Sequence, residues 1–155
     1  MDKTEKERKE ERFYTVAKNY MSAAHCIAER SYCNRLKVGC LFVKNGNIIS
    51  FGFNGTIRGF ENVCETADGI SSPTVVHAEM NAICKLANSS ETAEGSTVFI
   101  THSPCIECAK LLIQCRVKEV IYDEKYRDSK GIEILKQSGI NIIRLLTLKP
   151  KVVYD

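Results

Sequence analysis

Apolar residues recur at helical spacing at Phe13, Val16, Ala17, Tyr20, Ala24 and Ile27. That stripe predicts a first helix over about residues 10–31. Residues 1–12 are nearly all charged, five acids against five bases, and read as a frayed, solvated helix start. Two continuous apolar runs follow, 38–43 and 48–53, separated by Lys44-Asn45-Gly46-Asn47. Asn-Gly between apolar runs predicts a hairpin, because both positions tolerate positive φ. Runs at 97–100, 117–122 and 140–146 predict three more strands. One helix is expected to open at His77, with Met80, Ile83, Cys84 and Ala87 as its buried stripe. Another is expected to open at Pro104-Cys105, and a third to cover 129–137 and stop at Gly139. Two strands, then helices alternating with strands, predict an α/β fold of three layers, α/β/α, around a five-stranded mixed sheet. The expected organisation is one domain over 13–149, a charged extension over 1–12 and a short tail over 150–155.

Between the elements, Gly52, Gly55 and Gly59 fall within eight residues. After a strand, such a loop must turn tightly or approach something closely. It is either a plain turn or a loop that holds part of a substrate. Residues 61–76 read as irregular, with Asp68-Gly69 and Ser71-Ser72-Pro73 as turn signals.

Composition narrows the classes. The chain has 155 residues, 44% hydrophobic and 26% charged, as an ordinary globular domain does. Its longest apolar runs, about six to eight residues, are too short to span a bilayer. A net charge of +3 is poor support for a nucleic-acid surface. The charged start has no apolar h-region, so a cytoplasmic protein is expected. Its eight cysteines are then expected to stay reduced. Cys26, Cys40 and Cys84 fall in apolar segments and are expected to be small buried hydrophobes. His25, on the first helix, reads as an ordinary surface or boundary residue.

The chemistry sits in two pieces, His77-Ala78-Glu79 and Ser103-Pro104-Cys105-Ile106-Glu107-Cys108. They supply one imidazole, two thiolates and a carboxylate. Three zinc ligands, His77, Cys105 and Cys108, leave a fourth position for water, which distinguishes a catalytic zinc from a structural one. Glu79 is then free to act as acid and base. H-x-E followed by P-C-x-x-C is the pattern of zinc deaminases. A structural zinc would need a fourth protein ligand, for which Cys115 or Cys64 is available. Glu79 beside the histidine and a proline before the first cysteine favour the catalytic reading.

At this level the chain resembles the deoxycytidylate (dCMP) deaminases, within the cytidine deaminase-like fold. The resemblance rests on Cys33-Asn34-Arg35-Leu36-Lys37-Val38-Gly39, on Gly52-Phe53-Asn54-Gly55 with Arg58-Gly59, and on His77-Ala78-Glu79-Met80-Asn81-Ala82-Ile83. It continues through Thr101-His102-Ser103-Pro104-Cys105-Ile106-Glu107-Cys108-Ala109-Lys110, Lys118–Tyr122 and Tyr126-Arg127-Asp128. It covers roughly residues 13–145. It implies hydrolysis of dCMP to dUMP and ammonia, feeding dTTP synthesis, with one catalytic zinc on His77, Cys105 and Cys108 and Glu79 as proton shuttle. It implies that Asn54 contacts the nucleoside. It further implies a hexamer and control by dCTP and dTTP with Mg2+, with Gly55, Arg58 and Gly59 at the effector site. Cys33 and Cys64 match positions that hold a second, structural zinc in some relatives.

Phosphate recognition calls for cations or backbone amides. Arg35 is the first candidate, Lys37 and Tyr126 follow, and Ser103 completes the substrate set. Two departures bear on effector binding: Ile57 stands where many relatives have proline, and the segment between Cys64 and His77 is short. The competing readings are a zinc deaminase of free nucleosides or of adenosine in tRNA, and a non-catalytic accessory protein that binds zinc or nucleotide. Glu79 speaks against the last.

Overall fold

A computed structural model describes residues 4–146; 1–3 and 147–155, with the expected tail 150–155, lie outside the described residues. The first helix, α1, spans Glu5–Ala28. It is longer at its start and shorter at its end than the apolar stripe suggested. The charged start is ordered because its charges are organised. Thr4 Oγ1 accepts from the Glu7 amide while the Glu7 carboxylate accepts from the Thr4 amide, a capping box. Lys9 pairs with Glu5 at 2.7 Å and Lys6 with Glu10 at 4.0 Å, both one turn apart. The helix runs without interruption across residue 12. Its buried face is Ala17, Met21, Ala24 and Ala28, whereas Phe13 and Val16, expected inside, are each 45% exposed.

β1 (Gly39–Lys44) and β2 (Asn47–Phe53) form the expected hairpin. Asn45 and Gly46 take φ values of 51° and 77°, which the turn requires. Two short strands that the periodicity did not reveal, β3 (Gly55–Thr56) and β4 (Val75–Val76), pair as a separate antiparallel ladder. Then come α2 (Ala78–Ala87), β5 (Thr97–His102), α3 (Ile106–Gln114), β6 (Glu119–Glu124), α4 (Lys130–Gln137) and β7 (Asn141–Arg144).

The main sheet has the order β2-β1-β5-β6-β7. Its β2-β1-β5 half is antiparallel and its β5-β6-β7 half parallel, giving the expected five-stranded mixed sheet. Alternate strand residues separate the two cores. Leu41, Val43, Phe99 and Ile121 face α1, while Cys40, Phe42, Val98, Ile100 and Val120 pack with Ala82, Leu112 and Leu135 of α2, α3 and α4. The molecule therefore has the three predicted layers, with one helix on one face and three on the other. Among the described residues no helix is long and apolar enough to cross a membrane.

The cysteines depart from expectation. Cys40 is buried, but Cys26 and Cys84 are exposed. Cys33 and Cys64, expected as thiols, form a disulfide, with Cα atoms 5.1 Å apart. That separation suits a bridge, and it arises because the segment after α1 and the loop before β4 lie side by side. The bond also removes Cys64 from the candidate fourth zinc ligands.

Candidate metal centre and active site

Two helix starts converge on one point. His77 is the N-cap of α2 and Cys105 the N-cap of α3. Both have extended backbones (φ −72°, ψ 156° and φ −69°, ψ 169°), and neither side chain makes the usual capping hydrogen bond. Both are thereby free to turn into the site. Cys108 sits one turn into α3 and is buried. His77 Nδ1 lies 3.5 Å from Cys105 Sγ and 3.4 Å from Cys108 Sγ. Zinc with ordinary Zn–N and Zn–S bonds spans tetrahedral edges of about 3.5 Å, so the three donors fit that ion. Among the described residues this is the one group of three or more His, Cys, Asp or Glu placed to share an ion. Cys115, the other candidate for a structural knot, is at the far end of α3 as its C-cap.

The electrostatics suit the same ion. A hydrogen bond from the Cys108 thiol holds Cys105 well down, to about 4, assisted by His77 and opposed by burial. The same bond and burial push the Cys108 thiol up. The hydrogen bond with Cys105 raises His77, against the effect of burial. The pair thus holds one thiolate ready, and a metal that needs both must displace a proton.

Glu79, in the first turn of α2, is 3% exposed. Burial pushes its carboxyl up to about 7, partly offset by a hydrogen bond with its own backbone and by His77. A raised carboxyl pKa means that the folded state holds a proton the unfolded chain has released. Stability therefore falls as pH rises from about 4.5 to about 7, and the full cost is present above that window. In the chelated protein, Glu79→Gln should remove this cost, on the order of 3 kcal/mol. Thermal melts should show stabilisation at pH 8 and none at pH 4.

The centre opens into a cleft of about 660 Å³. It lies at the carboxyl ends of β5 and β6, where open α/β sheets place their ligands. Arg35, Asn54, Ser103 and Tyr126 line it with His77, Glu79 and Cys105. Asn54 is fastened in place, its Oδ1 accepting from the Val38 amide at 2.8 Å and its Nδ2 donating to the Leu36 carbonyl at 2.7 Å. Ser103 Oγ accepts from the Tyr126 amide at 2.8 Å, tying the loop after β6 to the loop after β5. Lys37, expected beside Arg35, instead turns toward α1 and meets Glu29 at 3.6 Å. Gly55, Arg58 and Gly59 also lie outside the cleft lining. His25 is a boundary residue as expected, with Nε2 2.8 Å from the buried carboxylate of Asp123.

Lys125 and Arg127 join the lining although neither was among the expected site residues. Their place just past a parallel strand's carboxyl end was the available signal. The Arg127 guanidinium lies over the Tyr126 ring, 5.5 Å from its centroid.

Residues 14–124 match the family model described as the cytidine and deoxycytidylate deaminase zinc-binding region. ComE operon protein 2 of Bacillus subtilis (strain 168) is 35% identical over 79% of this chain and 67% of that protein. The deoxycytidylate deaminase of Homo sapiens is 31% identical over 88% of this chain and 83% of that protein. Among solved structures, the dCMP deaminase of cyanophage S-TIM5, in complex with dCMP and dUMP, aligns with a TM-score of 0.81 and 46% identity, covering 83% of this chain and 95% of that one.

Proposed function

The chain belongs to the cytidine and deoxycytidylate deaminase family, and from that premise we propose that it hydrolyses dCMP to dUMP and ammonia. The observation that carries this reading is a buried Glu79 beside a zinc-fitting His77/Cys105/Cys108 centre, in a cleft lined by Arg35, Lys125 and Arg127. His77, Cys105 and Cys108 hold the ion. When bound, zinc supplies a Lewis acid that brings the pKa of water toward neutrality. Glu79 takes one proton from the attacking water and delivers it to ring nitrogen N3; it then takes the second from the hydroxyl newly bonded to C4 and gives it to the amine as the C4–N bond breaks. The amine leaves as ammonia, and the ring keeps the oxygen of water as its keto group.

Asn54 meets the nucleoside, and Ser103 orients the Tyr126 loop. Arg35 and Tyr126, with Lys125 and Arg127, receive the phosphate. A charge-assisted hydrogen bond is strong enough that Arg35→Ala should raise the dCMP KM about tenfold or more. The KM for deoxycytidine should move little. Equal effects on both substrates would take Arg35 out of the phosphate role.

The catalytic domain is read as 13–149, in a cytoplasmic protein. Regulation by dCTP and dTTP with Mg2+ is placed on Gly55, Arg58 and Gly59. The chain is read as assembling into a hexamer; exposed Ile57, Phe60, Val63 and Ile70 offer apolar surface for self-association. A second zinc on Cys33 and Cys64 requires their bond to be reduced, and a metal count of one per chain under reducing conditions would dispose of it. Against a non-catalytic accessory role stands the intact Glu79 beside the three metal-ligand candidates. Ammonia release from dCMP, deoxycytidine and dCTP, measured in parallel on zinc-loaded protein, tests the whole reading. Turnover of dCMP far above the others supports it; no turnover with zinc bound overturns it.

A further inference from the structure

The cleft wall that carries Arg35 has no helix or strand of its own, because residues 31–38 run irregularly from α1 to β1. Backbone amides in such a segment need other partners. Two of them find the same atom. Glu65 Oε1 accepts from the Asn34 amide at 2.8 Å and from the Arg35 amide at 3.0 Å. Its second oxygen is 3.5 Å from Asn34 Nδ2. Glu65 itself lines the cleft. A carboxylate facing a site for a phosphate dianion is unfavourable unless its charge is engaged elsewhere, and here it is engaged by two amides.

We propose that Glu65 is a positioning residue for nucleotide recognition: it clamps the backbone at Asn34 and Arg35 so that the Arg35 guanidinium is held toward the substrate phosphate. The proposal rests on the dCMP reading above. The clamp has a brace on either side. The Cys33–Cys64 bond joins the same two segments one residue earlier, and the Asn54 amide holds Leu36 and Val38 on the other side. Between these braces Glu65 is the side chain that fixes the Arg35 backbone. Its loss leaves the chain path tethered but lets Arg35 swing, which weakens recognition of the phosphate and spares the chemistry at Glu79.

Because one oxygen accepts both amides, glutamine can keep the clamp, while alanine removes it and aspartate falls short of it. The test compares zinc-loaded wild type with Glu65→Gln, Glu65→Ala and Glu65→Asp. Calorimetry gives Kd for dUMP and deoxyuridine, and kinetics give kcat and KM for dCMP and deoxycytidine. Zinc content and Tm serve as folding controls. Alanine and aspartate variants should raise the dUMP Kd and dCMP KM about tenfold, with kcat and both nucleoside constants within about twofold of wild type. Glutamine should behave as wild type. If Glu65→Ala does not fold, Glu65→Asp carries the comparison. Equal losses for nucleotide and nucleoside, or a glutamine variant as weak as alanine, overturn the proposal. Wild type that binds dUMP no tighter than deoxyuridine overturns the phosphate reading and the proposal together. Normal wild-type discrimination left intact in Glu65→Ala and Glu65→Asp overturns the proposal alone.

Discussion

Glu79→Gln should lower ammonia release from dCMP by roughly a hundredfold to ten-thousandfold, the usual weight of a positioned acid/base. Glutamine fills the same space and is suited to the same buried site, so packing is not what changes. The amide cannot take a proton from water at neutral pH and cannot hand one to N3. Burial raises the Glu79 carboxyl above its usual range, and a raised carboxyl is the better base for water and gives its proton up readily to N3. The measurement is single-turnover release of ammonia at saturating dCMP, with zinc content determined on the same sample. The expected outcome is one zinc retained and the rate lost. A variant within about threefold of wild type would remove Glu79 from proton transfer.

The second large effect lies in the scaffold. A Cβ added at Gly52 would stand 2.1 Å from the Ala78 carbonyl oxygen and 2.7 Å from the Ala82 amide nitrogen, both backbone atoms of α2. Neither can step aside as a side chain does. Gly52→Ala must therefore lift α2 off β2, and α2 carries His77 at its cap and Glu79 in its first turn. We expect a loss of about 3 kcal/mol, at the upper end of overpacking costs. Zinc affinity should fall along with it. Denaturant unfolding with and without a zinc chelator measures both. Gly55→Ala is the matched control, since its added Cβ meets nothing within 4 Å.

The same close contact explains which features were legible beforehand. Hydrophobic periodicity points to the largest apolar side chains, and on α1 and α2 it pointed to Phe13, Val16, Met80 and Cys84. The faces that meet the sheet are built largely from small residues, Ala17 and Ala24 of the expected stripe and Ala28, Ala78 and Ala82 outside it, with Met21 and Leu86 as the large members. Only small side chains permit backbones to approach so nearly, and alanine contributes little to an apolar pattern. Gly52 was readable as a position of turn or close approach, and the structure selects close approach. Glu79 was singled out by chemistry, because H-x-E beside P-C-x-x-C has a specific use, whereas its burial had no signal in the periodicity. The hairpin was legible from Asn45-Gly46 alone. The β3-β4 ladder was not, since two residues per strand make no pattern. Glu65 and the Cys33–Cys64 bond were hidden for another reason: they join segments about 30 residues apart that carry no periodic signal of their own.

The uncapped starts of α2 and α3 set stability and function against each other under selection. At an N-cap, Ser, Thr, Asp or Asn is worth about 1 kcal/mol over a residue that makes no capping bond. His77 and Cys105 occupy those positions with side chains turned elsewhere. A library of this chain enriched only for heat resistance in the presence of a zinc chelator, where the metal adds no stability, would thus drift toward aspartate or serine at both sites. Its most durable members would be the ones that had lost the metal and the reaction with it. A directed-evolution campaign on this scaffold needs turnover as a second gate from its first round.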